Sequence, residues 1–260
     1  MKKRILIMGL PGSGKSFLSE RLSPLLDAVW LNADEVRKKA NDWDFSPEGR
    51  VRQANRMKDL SETALKNGKH VIADFVCPTK KTRKDFNPDF TIWMNTISKG
   101  RFEDTNKIFE APSEKEANYI VEEKNADLLK YIIADKIQKY KWDNKKPTAQ
   151  MLGRWQPWHK GHQTLFEEII KKTGQVNIMV RDVKGVGDNP FDYEAVKKNI
   201  EKALIQFKDR IMISKVPNIT NICYGRGVGY KIEEIVLDKE VQEISATKIR
   251  QEMRAKGEIK

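Results

Sequence analysis

The stretch that decides the fold of the first half of this chain is Gly9-Leu-Pro-Gly-Ser-Gly-Lys-Ser16, which directly follows the apolar run Ile5-Leu-Ile-Met8. The run predicts a buried strand, and the residues after Ser16 have the apolar spacing of a helix. A helix N-terminus presents unpaired N–H groups and the positive end of the helix dipole. The glycine-rich turn between this strand and helix therefore predicts a site for phosphate.

The spacing of the two glycines, the lysine and the serine is that of a P-loop. Glycine lets backbone N–H groups approach phosphate oxygens with no Cβ in the way. Lys15 would place its charge on the transferring phosphates of ATP, and Ser16 would offer its hydroxyl to Mg²⁺ as a metal ligand. The predicted nucleotide-binding residues are Gly9, Gly12, Ser13, Gly14, Lys15 and Ser16.

Later segments resemble adenylylsulfate (APS) kinase, and the similarity covers roughly residues 3–112. The matching segments are the P-loop, Leu31-Asn-Ala-Asp-Glu-Val-Arg37, Phe45-Ser46 followed by Arg50, and Phe75-Val-Cys-Pro78. The chain departs from the family where Asn32 and Ala33 replace Asp and Gly and where Glu35 replaces Asn. These departures leave the phosphoryl donor site intact and put the identity of the acceptor in question.

This resemblance implies a P-loop kinase fold and a role for each matching side chain. Asp34 would orient the accepting hydroxyl or take its proton. Arg37 and Arg50 would surround an acceptor nucleotide, and Phe75 would stack on its base. Lys99 and Arg101, ahead of Phe109-Glu-Ala-Pro112, would neutralise charge from a mobile lid. Structural alternatives stay open: Asp34 as a helix cap, Phe75 as core, and Arg37 and Arg50 as solvated side chains.

A second phosphate-handling signature is His159-Lys-Gly-His162, which holds two of the three histidines in the chain. It follows a predicted strand at 148–153 and begins a predicted helix. Imidazoles at such a junction can donate hydrogen bonds to an α-phosphate as its charge builds in the transition state. The motif therefore predicts a second active site, separate from the P-loop.

The wider pattern Gly153-Arg-Trp-Gln-Pro-Trp-His-Lys-Gly-His162 resembles nicotinamide-nucleotide adenylyltransferases, as do Ile244-Ser-Ala-Thr-Lys-Ile-Arg250 and Asn189-Pro-Phe191. The resemblance implies a Rossmann-like fold in which an acceptor phosphate attacks the α-phosphorus of ATP or CTP and releases pyrophosphate. His159, His162 and Arg250 would be catalytic, and Ser245 and Thr247 would help Arg250 to hold the β- and γ-phosphates at the start of the last helix. Ser245 and Thr247 also fit a helix N-cap, which does not exclude phosphate binding. Trp155 and Trp158 are either a stacking surface or core. The nucleotide-binding residues implied are Gly153, Arg154, Gly161, Ser245 and Thr247.

The alternation of strands and helices predicts an α/β protein with two doubly wound parallel-sheet domains, residues 1–145 and 146–260. The polar segment 139–147 is the predicted linker. A length of 260 residues fits about two domains. Within the first domain, residues 114–139 are predicted to be helical, and 191–207 are predicted to form a helix in the second.

The composition indicates in which cellular compartment and with which kinds of partner we expect this protein to act. Cys77 and Cys223 lie far apart and form no metal or redox spacing, which favours a reducing, cytoplasmic setting. The short N-terminal apolar run is interrupted by glycines and a lysine, which is not typical of a secretory signal. No run is long enough for a membrane helix. The net charge of +12 leaves nucleic acid open as a partner, but the basic residues are spread along the chain and favour phosphorylated small molecules.

These features predict a Mg²⁺-dependent bifunctional transferase: a kinase acting on a small nucleotide-like hydroxyl acceptor, followed by a nucleotidyltransferase. Alternatives are sulfate activation by a sulfurylase and an APS kinase, end processing of nucleic acid as in polynucleotide kinases, and a non-catalytic nucleotide-sensing regulator. The small second domain and the stretch Arg154-Trp-Gln-Pro weigh against a sulfurylase. The retained Lys15, Asp34 and His162 weigh against a regulator.

Overall fold

The computed structural model describes residues 1–186, 188–223, 225–226, 229 and 231–259. It divides into two compact units, Met1–Lys139 and Tyr140–Lys260. The division falls at the start of the predicted linker 139–147, six residues before residue 145. Among the described residues, no helix is both long and apolar enough to cross a lipid bilayer.

The first unit contains a five-stranded parallel sheet in the order β2-β3-β1-β4-β5. Because β1 lies in the middle, the chain builds the sheet first toward one edge and then toward the other, which is the predicted doubly wound arrangement. The strands are β1 (Arg4–Met8), β2 (Ala28–Asn32), β3 (His70–Asp74), β4 (Phe90–Met94) and β5 (Tyr119–Val121).

Helices cover both faces of this sheet, so its central strands are continuously apolar. Ile5 and Ile7 belong to one buried cluster, together with Leu22 of α1. Leu6 points the other way, into a cluster that contains Met57 of α3. The helices are α1 (Lys15–Leu26), α2 (Ala33–Ala40), α3 (Pro47–Lys66), α4 (Lys80–Phe86), α5 (Glu103–Ile108) and α6 (Ala126–Ile137).

The prediction of one helix over residues 114–139 is wrong. Tyr119–Val121 forms the edge strand β5, and α6 begins only at Ala126. The Thr91 N–H donates to Asn118 Oδ1 at 2.7 Å, and the Asn118 N–H donates back to the Thr91 carbonyl at 2.9 Å. Pairing with β4 thus decides the conformation of this segment, which is too short for its own periodicity to reveal a strand.

The second unit contains a three-stranded parallel sheet in the order β6-β7-β8. This order has no reversal, so the doubly wound arrangement expected here is not found among the described strands. The predicted helix 191–207 is instead an α-helix followed by a short 3-10 turn, Ile205–Phe207. The elements are β6 (Ala149–Gly153), α7 (Lys160–Thr173), β7 (Val176–Arg181), α8 (Tyr193–Ala203), β8 (Ile211–Val216), α9 (Lys239–Gln242) and α10 (Ala246–Ala255).

Candidate functional site

The loop between β1 and α1 has the backbone that its glycines predict. Gly9, Gly12 and Gly14 all have positive φ angles, which L side chains rarely adopt. A Cβ on Gly9 would lie 2.7 Å from the carbonyl oxygen of Met94 on the neighbouring strand. Ser13 is buried, and the loop ends at Lys15 and Ser16, the first two residues of α1. This strand–loop–helix arrangement is what a phosphate site at a helix N-terminus requires.

The carboxyl edge of the sheet adds a carboxylate that sequence reasoning missed. Asp74 ends β3, is 2% exposed, and pairs in register with Ile7 of β1 and Asn32 of β2. The Asn32 amide is 3.1 Å from both Ser16 Oγ and Asp74 Oδ2. The signal available was a lone Asp at the end of an apolar strand, but only the register of the sheet shows that it lies beside the P-loop.

Lys15 and Asp74 form the electrostatic centre of this edge. Burial lowers the pKa of Lys15, and the negative charges of Asp74 and Asp34 oppose that change. Burial raises the pKa of Asp74, while a hydrogen bond from Ser16 and the charge of Lys15 oppose the rise. The Lys15 ammonium donates to the Leu10 carbonyl at 3.1 Å. A bound phosphate would supply the negative charge that keeps this enclosed ammonium protonated.

A pocket of about 840 Å³ opens onto this centre. Of the predicted acceptor-site residues, Asp34, Arg50, Phe75 and Arg101 line it together with the P-loop. Asn32 caps α2 by accepting the N–H groups of Asp34 and Glu35, so Asp34 is not the cap residue. The pocket therefore brings a phosphate-binding loop and an exposed carboxylate together in one cavity.

Two predicted acceptor residues do not line this pocket. Arg37 is buried and donates to the carbonyl oxygens of Asp42 and Asp44 at 3.0 and 2.9 Å. Lys99 points to Glu103, 3.0 Å away at the start of α5. Arg37 thus positions a loop at the pocket wall, while Lys99 makes a surface ion pair of little energetic weight.

Arg50 connects two sides of the pocket. Its guanidinium forms an ion pair with Asp104 of α5 and donates to the Phe45 carbonyl at 2.8 Å. Arg101 lies close to the P-loop, since a Cβ on Gly12 would be 3.6 Å from its Nε. The predicted lid region therefore already lies against the phosphate loop through Arg101 and against α3 through Arg50.

A second, smaller pocket of about 330 Å³ also lies beside the P-loop. Gly12 and Gly14 contribute to it together with the loop between β5 and α6. Phe17 lines both pockets. Because this loop falls within the segment predicted to be helical, sequence reasoning did not indicate the pocket. Its residues from that side are Val121, Glu123, Lys124, Asn125, Ala126 and Leu129.

In the second unit, the two histidines of the His-x-Gly-His motif stack on each other. Their ring centroids are 3.6 Å apart, and the planes differ by 24°. His159 caps α7, its Nδ1 accepting the Gly161 N–H at 3.1 Å, and His162 lies in the first turn. The Trp155 ring contacts His162 edge-on at 4.8 Å. The motif thus presents two adjacent imidazoles at a helix N-terminus, as the sequence predicts.

Arg250 connects the last helix to the turn before the histidines. It is buried, donates from Nη1 to the Gln156 carbonyl, and contacts Thr247 Oγ1 at 3.2 Å. The Asp188 carboxylate accepts a hydrogen bond from Arg250 Nε at 2.7 Å and another from Arg254 Nη2 at 2.5 Å. The two motifs at opposite ends of this unit therefore meet, with a carboxylate lying on the arginines.

The other predicted residues of this unit differ in their burial and in their hydrogen bonds. Ser245 is the N-cap residue of α10, yet its side chain makes no capping hydrogen bond. Arg154 is exposed, whereas Trp155 is buried and donates from Nε1 to the Met179 carbonyl at 3.1 Å. Trp158 is half-buried. Trp155 is thus a core residue that supports the histidines.

Gly153 is expected to tolerate no side chain, because a Cβ there would lie 2.5 Å from the Trp155 ring. We predict that Gly153→Ala lowers the free energy of unfolding of the second unit by about 1–3 kcal/mol through overpacking. Gly225→Ala is the matched control, since its added Cβ would have no atom within 4 Å. Urea unfolding of both variants measures the difference, and equal stabilities would contradict this packing.

His162 is expected to make stability depend on pH. Burial lowers its pKa from 6.5 to about 3, and the neighbouring charge of His159 adds to the decrease. Below pH 6.5 the imidazole of His162 binds a proton in the unfolded chain but stays neutral in the folded chain. The free energy of unfolding therefore falls as the pH decreases below about 6.5. Urea unfolding should show a smaller loss for His162→Gln than for wild type between neutral pH and about pH 5. Parallel curves would refute the assignment.

Comparisons with known proteins agree with the geometry of the first unit. A family model described as an AAA domain matches residues 5–87. The adenylate kinase isoenzyme 6 homolog of Drosophila melanogaster is 30% identical over 80 residues, which is 30% of this chain and 46% of that protein. The matched stretch thus spans about half the length of this curated relative.

Solved structures are also similar to part of the chain. The APS kinase of Mycobacterium tuberculosis in complex with AMPPNP and APS is 18% identical, with a TM-score of 0.45, over 53% of this chain and 98% of that one. Shikimate kinase from Acinetobacter baumannii in complex with shikimate is 20% identical, with a TM-score of 0.38, over 53% of this chain and 93% of that one. The family match and the loop geometry together show a P-loop domain in the first unit.

Proposed function

We propose that the first unit transfers the terminal phosphoryl group of ATP to a hydroxyl group of a small nucleotide-like acceptor. The observation that carries this proposal is that Asp34 and the P-loop line the same pocket. The acceptor oxygen forms a bond to the γ-phosphorus, the β–γ bridging bond breaks, and ADP leaves. Asp34 orients the hydroxyl and takes its proton. Lys15 stabilises the charge on the transferring group.

Mg²⁺ fits the residues at the carboxyl edge of the sheet. Ser16 Oγ and the Asp74 carboxylate share the Asn32 amide as a hydrogen-bond donor, which places two hard oxygen ligands next to the loop. Mg²⁺ is usually held by one or two carboxylates, water and phosphate oxygens rather than by a full protein cage. Ser16 and Asp74 would hold the ion, which would neutralise phosphate charge during the transfer.

The two pockets beside the P-loop suit a division between donor and acceptor. Leu18, Met94, Val121 and Leu129 give the smaller pocket a largely apolar wall, and Glu123, Lys124 and Asn125 also line it. An apolar slot with a few polar groups is typical of sites for a nucleoside base. We assign the donor's base to this pocket and the acceptor to the larger one that contains Asp34.

For the second unit we propose nucleotidyl transfer, supported by the meeting of the His-x-Gly-His turn with Arg250. A phosphate oxygen of the acceptor attacks the α-phosphorus of ATP or CTP, the α–β bridging bond breaks, and pyrophosphate leaves. His159 and His162 donate hydrogen bonds to the α-phosphate. Arg250, Ser245 and Thr247 hold the outer phosphates at the start of α10. Asp188 must leave the arginine for this to occur, since its carboxylate contacts that guanidinium.

Product analysis with a panel of acceptors tests both proposals. The full chain is incubated with Mg²⁺ and ATP or CTP, and products are identified by mass spectrometry. The acceptors are APS, nicotinamide mononucleotide, nicotinamide riboside, sulfate, a sugar phosphate and a 5′-hydroxyl oligonucleotide. ADP with a phosphorylated acceptor supports the kinase, and pyrophosphate with a nucleotidylated acceptor supports the transferase. Phosphorylation of the oligonucleotide alone would favour nucleic-acid end processing instead.

A further inference from the structure

Two aromatic side chains project from a short loop at the wall of the larger pocket. Trp43 and Phe45 line the pocket, and each is 51% exposed. An exposed apolar patch, unlike a single exposed apolar residue, often marks a binding site. The loop between α2 and α3 therefore places two large apolar surfaces where the acceptor of the proposed kinase would lie.

A network of charged groups holds this loop in place. The Asp42 carboxylate accepts from Arg52 at 2.9 and 3.0 Å and from Arg56 at 2.8 Å. The pKa of Asp42 is far below its usual range because of the hydrogen bonds from these two arginines. Arg37 binds the backbone carbonyls of Asp42 and Asp44, on either side of Trp43. Fixing a loop in advance lowers the conformational entropy that the loop would lose when a ligand binds to it.

Gly49 fixes the loop from the other side. A Cβ at this position would lie 2.4 Å from the Asp44 carbonyl oxygen and 2.5 Å from the Asp44 carboxyl carbon. Ser46 caps α3 by accepting the Gly49 N–H at 3.1 Å. The start of α3 thus packs directly onto the loop. Contacts with both α2 and α3 therefore hold the backbone that carries Trp43 in place.

Of the three side chains Trp43, Phe45 and Phe75, Trp43 has the most open ring face. Phe75 lines the pocket but is only 7% exposed and packs edge-on against Phe86 at 5.2 Å. The Arg37 guanidinium lies 4.6 Å from the centroid of the Phe45 ring and covers part of it. Among the described residues, no aromatic or cationic side chain stacks on the Trp43 indole. Stacking by Phe75, which the resemblance to APS kinase implies, therefore does not fit its buried position.

We propose that Trp43 is a specificity-determining residue of the kinase site and stacks on a planar aromatic ring of the acceptor. The inference rests on the proposed function only in assigning the larger pocket to the acceptor. It restricts the acceptor to molecules that join an aromatic base to an anionic group, because Arg101 lines the same pocket. Non-aromatic acceptors, such as sugar phosphates, would lack this ring-on-ring stacking.

Equilibrium binding of two matched probes to the full chain tests this proposal. Adenosine 5′-monophosphate carries a base, and ribose 5-phosphate carries the same sugar and phosphate without it. Titrations are made with Mg²⁺ and saturating AMPPNP, so that the donor site is filled. Sites in the second unit contribute equally to wild type and to variants of Trp43, so the difference between proteins reports on the larger pocket alone.

Trp43→Ala is expected to weaken binding of adenosine 5′-monophosphate about tenfold, the scale of losing one aromatic stacking partner. Binding of ribose 5-phosphate should not change. Trp43→Phe should retain most of the affinity, because a phenyl ring still stacks. Trp142→Ala, which removes a tryptophan from the second unit, is the control and should leave both affinities unchanged.

Three results would overturn the proposal. These are an unchanged affinity for adenosine 5′-monophosphate in Trp43→Ala, an equal loss for both probes, and no measurable binding of adenosine 5′-monophosphate to wild type. An equal loss would mean that the tryptophan only supports the loop. Because binding is measured without turnover, stacking would still be detected if the unit transferred no phosphoryl group, so failure of the kinase assignment is recognised separately by the absence of ADP.

Discussion

Replacing Lys15 with alanine is expected to abolish phosphoryl transfer by the first unit, with a loss of at least about 10²-fold in the rate of ADP formation. Lys15 begins α1 within the P-loop and is enclosed beside Asp74 and Asp34. Alanine would leave those carboxylates without the cation that offsets their repulsion of the phosphates. The measurement is acceptor-dependent ADP formation with Mg²⁺ and ATP, using whichever acceptor the product panel identifies.

Pyrophosphate release provides the internal control for this variant. Lys15 lies in the first unit, so Lys15→Ala should leave the proposed nucleotidyl transfer at the wild-type rate. Lys66→Ala removes an exposed lysine from the end of α3 and should affect neither product. Loss of both reactions in a folded Lys15→Ala protein would contradict the assignment of two independent active sites. Undiminished ADP formation would refute the role of the P-loop lysine.

Much of the first unit was predictable because its signals are local. The positive φ angles of Gly9 and Gly14 follow from a turn that must bring backbone N–H groups to one point. Ser46 and Pro47 indicate the start of α3, and the structure places them at the cap and first position of that helix. Such features depend on neighbouring residues alone, so the sequence specifies them before any tertiary contact forms.

The missed features depend on pairing between distant segments. Asp74 becomes part of the phosphate site only because β3 lies next to β1 and brings it level with Ile7. The strand β5 has three residues and forms by pairing with β4. The placement of Arg37 likewise depends on the carbonyl groups of the loop after α2. Register and side-chain direction of this kind are tertiary properties that periodicity does not encode.

In the second unit, too, features set by neighbouring residues were predictable and contacts between distant residues were not. The position of His159 and His162 at the start of a helix was predictable, because only a six-residue loop separates β6 from α7. The contact of Asp188 with Arg250 joins residues 62 positions apart and had no sequence signal. Its carboxylate lies where the resemblance implies that phosphate binds, so the nucleotide binding proposed for this unit would have to displace an internal anion.

Replacing His162 with alanine is expected to lower pyrophosphate release by about 10²–10³-fold, the usual loss when one transition-state hydrogen-bond donor is removed. Burial keeps this imidazole neutral near pH 7, since its pKa is lowered to about 3. In the proposed reaction it would therefore donate a hydrogen bond to the α-phosphate as a neutral imidazole, and activity should not follow an ordinary histidine titration. Pyrophosphate release is measured with ATP and with CTP across neutral pH.

Two further variants separate chemistry from packing at this position. Gln163→Ala changes the next residue on α7, whose amide contacts Glu167 at 2.9 Å, and should retain full activity. His162→Asn keeps a polar side chain that can donate a hydrogen bond, and we expect it to recover part of the rate. ADP formation by the first unit should be unchanged in all three proteins. If folded His162→Ala released pyrophosphate at the wild-type rate, or lost both reactions together, the second active site would not lie at this histidine pair.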